Sequence, residues 1–339
     1  MNQNKVRLNI LIATGIYPPA IGGPMKYAQE LGIEWGKAGH NVRIKTFTQV
    51  EHMLPSGLRH LYYFFKILPS VLSADFIFAL DTFSVGTPAT VAAKIFGKKI
   101  IMRTGGDFLW EGYVERTHDM VLLKNFYETT PEKWSRKERL IFKITKWTLQ
   151  NVSTLVFSTS WQRDIFIKEY DLNPENICIV ENHYGSKLPS SVPTKKDFIA
   201  GTRKLKWKNL DVLKQAFENM REVSLDLGNY RHEEFMKKMS ECYATILVSL
   251  GDISPNMILE SIKFNKPFII TKENGLMDRI GDIAITVDPQ NVEDIREKVL
   301  WLCVKENYDK QVEKIMNFSS THSWSEIALE IVDIYEKIK

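Results

Sequence analysis

Two carboxylates frame the most chemically suggestive stretch of the chain, Asp252-Ile253-Ser254-Pro255-Asn256-Met257-Ile258-Leu259-Glu260. An apolar run at 244–248 predicts a strand before it, and apolar spacing over 257–263 predicts a helix within it. Asp252 therefore stands in a loop, with Glu260 about one turn into the helix. The first amides of a helix have no intrahelical acceptor and carry the positive end of its dipole, which suits a phosphate. The backbone at Ile253, Ser254 and Asn256 is placed for that role. A carboxylate on either side can accept hydrogen bonds from sugar or ribose hydroxyls. The plainer alternative is a capping aspartate and an exposed glutamate.

Two further loops offer complementary groups. Arg203 and Lys208 follow a predicted strand at 197–200 and precede a predicted helix at 209–219. Arginine presents a planar fork to phosphate oxygens, and lysine a compact charge. By charge alone, a solvated basic loop explains this segment as well. Near the start, Gly22-Gly23-Pro24 precedes another predicted helix, where a bare backbone lets an anion approach. A simple turn is the alternative there. The spacing is not Gly-x-Gly-x-x-Gly, so the dinucleotide fingerprint of a nicotinamide-dependent oxidoreductase is absent.

The elements that must position these loops alternate in type. A strand at 8–14, a glycine-proline loop, a helix at 25–37 and a strand from 42 make a βαβ unit, which predicts a parallel sheet. Strands at 76–80, 99–103, 154–158 and 177–180 continue it, with helices at 88–96, 140–151 and 161–170 between them. A Pro/Ser/Lys segment at 187–196 has no periodicity and reads as a linker. A second α/β series follows, with strands at 197–200, 223–227, 244–248 and 268–271 and helices at 209–219, 233–241, 257–263 and 292–304. An amphipathic helix at 323–339, with Trp324, Ile327, Ile331, Tyr335 and Ile338 on one side, ends the chain. The fold class is thus α/β, with two doubly wound parallel-sheet lobes expected to face a central cleft. Ligands in such sheets sit beyond the carboxyl ends of the strands, where the loops above lie.

Composition agrees with this and narrows the class. Hydrophobic residues are 44% and charged residues 25% of 339, typical of a globular chain. The three cysteines, Cys178, Cys242 and Cys303, are far apart and odd in number, so neither a disulfide framework nor a metal motif is expected. No Asp-x-Asp triplet occurs, so no metal is expected to bridge a diphosphate. No stretch reaches the ~20 apolar residues of a spanning helix. A net charge of +4 does not call for a nucleic-acid partner.

Taken together in order, the loops resemble the retaining family 4 glycosyltransferases of the GT-B fold. The Pro-Pro-x-x-Gly-Gly loop of that family is matched by Pro18-Pro19-Ala20-Ile21-Gly22-Gly23. Its Gly-Arg-x4-Lys-(Gly/Asn) segment resembles Arg203 to Lys208 and Asn209. Its Glu-x7-Glu followed by Gly-x-Pro resembles Asp252, Glu260 and Lys266-Pro267, and Ser323-Trp324 with Tyr335 resembles its final helix. The likeness spans nearly the whole chain. Departures are Asp252 for Glu, Ile253 for Gly, Asn209 and Asn265 for Gly, and a missing strand–helix pair before residue 233 that in the family helps hold the base.

The resemblance implies a hexose-type transfer from a nucleotide-diphosphate sugar to an acceptor hydroxyl with retention, without a cofactor or metal. It implies that Arg203 and Lys208 bind the donor diphosphate, Glu260 the ribose hydroxyls and Asp252 the sugar hydroxyls. Gly23 would let its loop approach the donor phosphate or the acceptor. A bacterial branch of the family has Gly-Asp-x-x-Trp-Glu, resembling Gly106-Asp107-Phe108-Leu109-Trp110-Glu111. Asp107 then positions a hydroxyl, or caps a turn. The expected lobes are 1–190, with 320–339 crossing back to it, and 197–319 for the donor. Basic and aromatic residues at 133–147 and 58–69 suit an anionic membrane surface, or a core-facing helix with a solvated basic face. The acceptor is then a sugar or lipid-linked sugar, in polysaccharide or glycolipid synthesis, with the protein in the cytoplasm at the inner face of the membrane. The rival functions are a non-catalytic or degenerate nucleotide-sugar-binding protein and a sugar-nucleotide epimerase of the same fold.

Overall fold

A computed structural model describes residues 7–17, 23–200 and 204–339. Its contacts divide the chain into two compact units. Unit 1 takes in Met1–Asp107, Ser135–His183 and His322–Lys339, and unit 2 takes in Phe108–Trp134 and Tyr184–Thr321.

Unit 1 is built on β1 (Asn9–Thr14), α1 (Gly23–Lys37), β2 (Asn41–Thr46), α2 (Gln49–Met53), α3 (Ser56–Ser73), β3 (Phe76–Ala79), α4 (Gly86–Ile95) and β4 (Lys99–Arg103). The chain then enters unit 2 with α5 (Phe108–Thr117) and α6 (Leu123–Thr129), and returns with α7 (Arg136–Gln150), β5 (Thr154–Phe157), α8 (Ser160–Tyr170) and β6 (Ile177–Ile179). The six strands pair in parallel in the order β2-β1-β3-β4-β5-β6. β3 and β5 are buried along their whole length, the pattern of strands covered on both faces. The direction across the sheet reverses after β2. Right-handed crossovers therefore put α3, α4, α7 and α8 on the face opposite α1.

Unit 2 continues with β7 (Lys196–Ile199), α9 (Leu210–Phe217), β8 (Val223–Asp226), α10 (His232–Glu241), β9 (Ala244–Leu247), α11 (Asn256–Lys263), β10 (Phe268–Thr271), α12 (Met277–Ile280), β11 (Ile285–Val287), α13 (Val292–Leu302) and α14 (Lys305–Asn317). Its parallel sheet runs β11-β10-β9-β7-β8. The last helix, α15 (Trp324–Ile338), belongs to unit 1. Its apolar stripe joins Tyr27, Leu31 and Trp35 of α1 in one core, and the Trp35 indole donates to the Ala328 carbonyl at 2.9 Å. Ser323 and Glu326 close a capping box that starts this helix.

The fold class expected from the sequence, two parallel-sheet α/β lobes, is what forms. The strands lie within two residues of their expected bounds. Several elements had no clear periodic signal: α5, α6, α12, β11 and α14. The segment at 58–69 proves to be part of α3. The linker at 187–196 is extended up to β7 but is tied down along unit 2. Leu188 N–H donates to the Lys263 carbonyl at 2.7 Å, and the Lys187 ammonium to the carbonyls of Ile262 and Ile315 at 2.9 and 2.6 Å. Burial holds the Lys187 pKa below the usual lysine value.

Candidate functional site

The carboxyl ends of β7 and β9 in unit 2 carry the basic loop and the Asp252 loop, and the structure brings these two together. The Lys208 ammonium lies 2.5 Å from Asp252 Oδ2, and both side chains are only 12% exposed, so the pair is largely shielded from water. Ser249 Oγ donates to the same oxygen at 3.1 Å. The ammonium also sits 4.1 Å from the centre of the Trp207 ring, a cation–π contact. Trp207 is buried, packs against Trp110 at 5.5 Å between ring centres, and keeps its indole N–H without a partner among the described residues.

Backbone geometry explains how Lys208 is held. Asn209 follows it with φ 59°, in the left-handed region where glycine and then asparagine are tolerated. Its buried amide donates to the carbonyls of Val248 and Pro289 at 3.2 and 2.5 Å, which pins the basic loop to the end of β9. The main chain of Asp252 is fixed on both sides. Its N–H donates to the Glu273 carbonyl at 2.9 Å, and its own carbonyl accepts from Gly275 N–H at 3.1 Å. Glu273 is buried, and its carboxylate takes the Lys124 ammonium of α6 at 2.6 Å.

Just beyond, Ile253 turns its side chain into the interior, Ser254 and Glu260 are half-buried, and Asn256 is exposed at the start of α11. Ile253 can therefore offer a ligand only its backbone. Pro255 is the cap residue of α11 and, as a proline, offers no side-chain acceptor to its first amides. The first amides of α11 thus stand beside a lysine–aspartate pair, where a diphosphate would meet dipole and cation together.

Two of the sequence-selected residues, Gly22 and Arg203, lie outside the described residues. Gly23 opens α1 in unit 1, and a Cβ added there would meet nothing within 4 Å. Asp107 closes the first segment of unit 1 and is buried. Beside it, Arg103 stacks its guanidinium 3.7 Å from the Tyr27 ring centre and donates to Asn182 Oδ1. Burial raises the Tyr27 pKa, against the opposing effect of Arg103. Thr104 Oγ1, Ser158 Oγ and Gln162 Oε1 are buried around these strand ends without a partner among the described residues, which marks a polar interior suited to ordered water.

Sequence reasoning missed Gly251, Lys124 and Glu273. A Cβ on Gly251 would lie 2.6 Å from Leu123 Cβ, so glycine is required there to let α6 close on the site. The signal was present in Ser249-Leu250-Gly251-Asp252, but its meaning depends on a helix far away in sequence.

No protein-family model matches the chain, and no curated protein matches it by sequence. Solved structures match it by fold. Sucrose-phosphate synthase from Thermosynechococcus elongatus is 11% identical, with a TM-score of 0.67 over 97% of this chain and 98% of that one. WaaG, a glycosyltransferase involved in lipopolysaccharide biosynthesis, is 12% identical, with a TM-score of 0.66 over 96% and 99%. Anabaena HepE in complex with UDP-glucose is 13% identical, with a TM-score of 0.61 over 97% and 98%. At such identities the likeness concerns architecture, and it establishes the GT-B fold for this chain.

Proposed function

We propose that this chain is a glycosyltransferase that moves a hexose-type sugar from a nucleotide-diphosphate donor to an acceptor hydroxyl with retention of configuration. The observation that carries this is the shielded Lys208–Asp252 pair in the loops that lead to the start of α11. The fold adds support, since chains that share it include sugar-transferring enzymes and one solved with UDP-glucose. In this reading Lys208, Arg203 and the α11 amides take the diphosphate without a metal, Glu260 takes the ribose hydroxyls, and Asp252 orients the sugar. Asp107 and the Gly22-Gly23 loop serve the acceptor, a sugar or lipid-linked sugar in polysaccharide or glycolipid synthesis.

The Lys208–Asp252 contact gives the mechanism a definite starting state. Asp252 holds the ammonium in place before the donor arrives, so the cation is preorganised rather than recruited. As the bond between the anomeric carbon and the diphosphate oxygen breaks, negative charge grows on the diphosphate and Lys208 stabilises it. The acceptor oxygen forms its bond from the same face, and its proton passes to the leaving diphosphate.

Thermal shift against UDP, GDP, ADP and their sugars is the first test, with one of these raising the midpoint. Lys208→Ala is expected to lower turnover of that donor about 10²- to 10³-fold, while Lys206→Ala leaves it near wild type. NMR of the product gives the anomeric configuration. Binding without turnover favours the non-catalytic alternative, an inverted linkage rejects retention, and no shift with any nucleotide rejects the transferase reading.

A further inference from the structure

We propose that the outer surface of α3 and α7 in unit 1 is a docking face for an anionic lipid bilayer. The inference stands on exposure and charge, independently of the donor site in unit 2.

Helix α3 is apolar on two sides. Tyr63, Ile67 and Val71 point into the unit and are fully buried. Leu58, Leu61, Tyr62, Phe65 and Leu72 are exposed, and their spacing of three, four and seven residues aligns them as one outer stripe. Phe65 at its centre is 60% exposed. On α2, which packs against α3, Met53 is also exposed, at 85%. Single exposed apolar residues are ordinary on a globular surface, but a continuous stripe of large ones calls for a partner.

The charge pattern says which partner. Helices α3 and α4 contain no carboxylate, and the lone acid of α7, Glu138, is buried in its own capping box. Lys66 of α3 is neutralised by Glu51 at 2.5 Å. Helix α7 carries Arg136, Lys137, Lys143 and Lys146 among its cations, with Asp171 3.9 Å from the last. Helix α4 packs against both α3 and α7, so the apolar stripe and the cationic row share one side of the sheet. Leu140 and Trp147 are exposed among those cations. A second copy presenting this face would set cation against cation, which disfavours self-association. An anionic bilayer satisfies both halves: headgroups take the α7 cations, the acyl boundary takes the α3 stripe, and tryptophan suits the level between. Among the described residues no helix is long and apolar enough to cross a membrane.

The test is co-sedimentation of the full chain with vesicles of phosphatidylcholine, alone and mixed with phosphatidylglycerol. Binding to the mixed vesicles only is expected, and it weakens as salt is raised. Leu61→Ser with Phe65→Ser is expected to weaken it about tenfold, and Lys137→Glu with Lys143→Glu at least as much. All four positions are exposed, so thermal midpoints should match wild type. A second readout needs no change on α3: brominated lipid quenches tryptophan emission, and Trp147→Phe removes part of that quenching. Failure to sediment with anionic vesicles overturns the proposal, as does binding indifferent to both double variants. Self-association abolished by Phe65→Ser, without vesicle binding, assigns the face to a second copy instead.

Discussion

Asn209 and Asn265 occupy two positions where the resembling family carries glycine, and both have left-handed backbone, φ 59° and 53°. The departures therefore keep the conformation that glycine serves, since asparagine is the side chain that tolerates it best. The two differ in what their amides do. Asn209 bonds two buried carbonyls, whereas Asn265 Oδ1 is buried without a partner among the described residues. Asn209→Gly should thus cost about 2 kcal/mol by leaving those carbonyls unpaired, and Asn209→Ala about 3 kcal/mol by adding left-handed strain. Asn265→Gly should be neutral or slightly stabilising. Urea unfolding of the three variants checks this ranking. The same scale shows what the sequence makes readable. Lys208 and Asp252 stand out because type and spacing alone suggest an anion site. Gly251 and Glu273 do not, because each acts through a contact with α6 that no local pattern announces.

Helix α3 shows the corresponding limit for elements. Strands such as β3 and β10 declare themselves through short, continuously apolar runs, and α1 and α15 through a single apolar stripe. A helix with apolar residues on both sides gives no such period, so 58–69 reads equally as membrane-seeking or core-facing. In the structure one apolar side is packed and the other is exposed. What anchors the packed side is the α2 contact: Glu51 is buried and bonds Lys66, with Thr48 capping from the other side. Burial opposes the charged carboxylate, but the hydrogen bonds from Lys66 and Thr48 outweigh it and hold the Glu51 pKa below 4.5. A folded pKa below the unfolded one means the stabilisation is fully present above the unfolded value and lost as pH falls through the folded one. Glu51→Gln should therefore cost about 2 kcal/mol at neutral pH. That gap from wild type should close as pH falls below about 4.5, as urea titrations at several pH values would show.

At the scale of the whole molecule, the alternation of strand and helix is enough to read two parallel-sheet units, because each βαβ step is local. How the chain shares itself between them is not local. Residues 108–134 lie between two segments of unit 1 in sequence, yet they pack with unit 2. Their contacts fall on the loops around Lys208 and Asp252: Trp110 on Trp207, Glu115 accepting from Lys206 N–H at 2.6 Å, Leu123 N–H donating to the Leu250 carbonyl at 3.2 Å, and Lys124 on Glu273. Unit 2 is thus completed by a stretch that the chain threads through before unit 1 is finished. A fragment of 184–321 alone would expose Trp207 and the bare surface at Gly251, and leave the Glu273 carboxylate buried without its cation, a costly state. It is expected to bind 1-anilinonaphthalene-8-sulfonate and to melt without a sharp transition. Joining 108–134 to its start through a flexible Gly/Ser linker should restore cooperative unfolding and near-UV signal from the packed Trp110–Trp207 pair. If 184–321 by itself unfolds cooperatively with a native near-UV spectrum, the α5–α6 segment is dispensable to these loops, and the rigidity of Asp252 and Lys208 has to come from unit 2's own sheet.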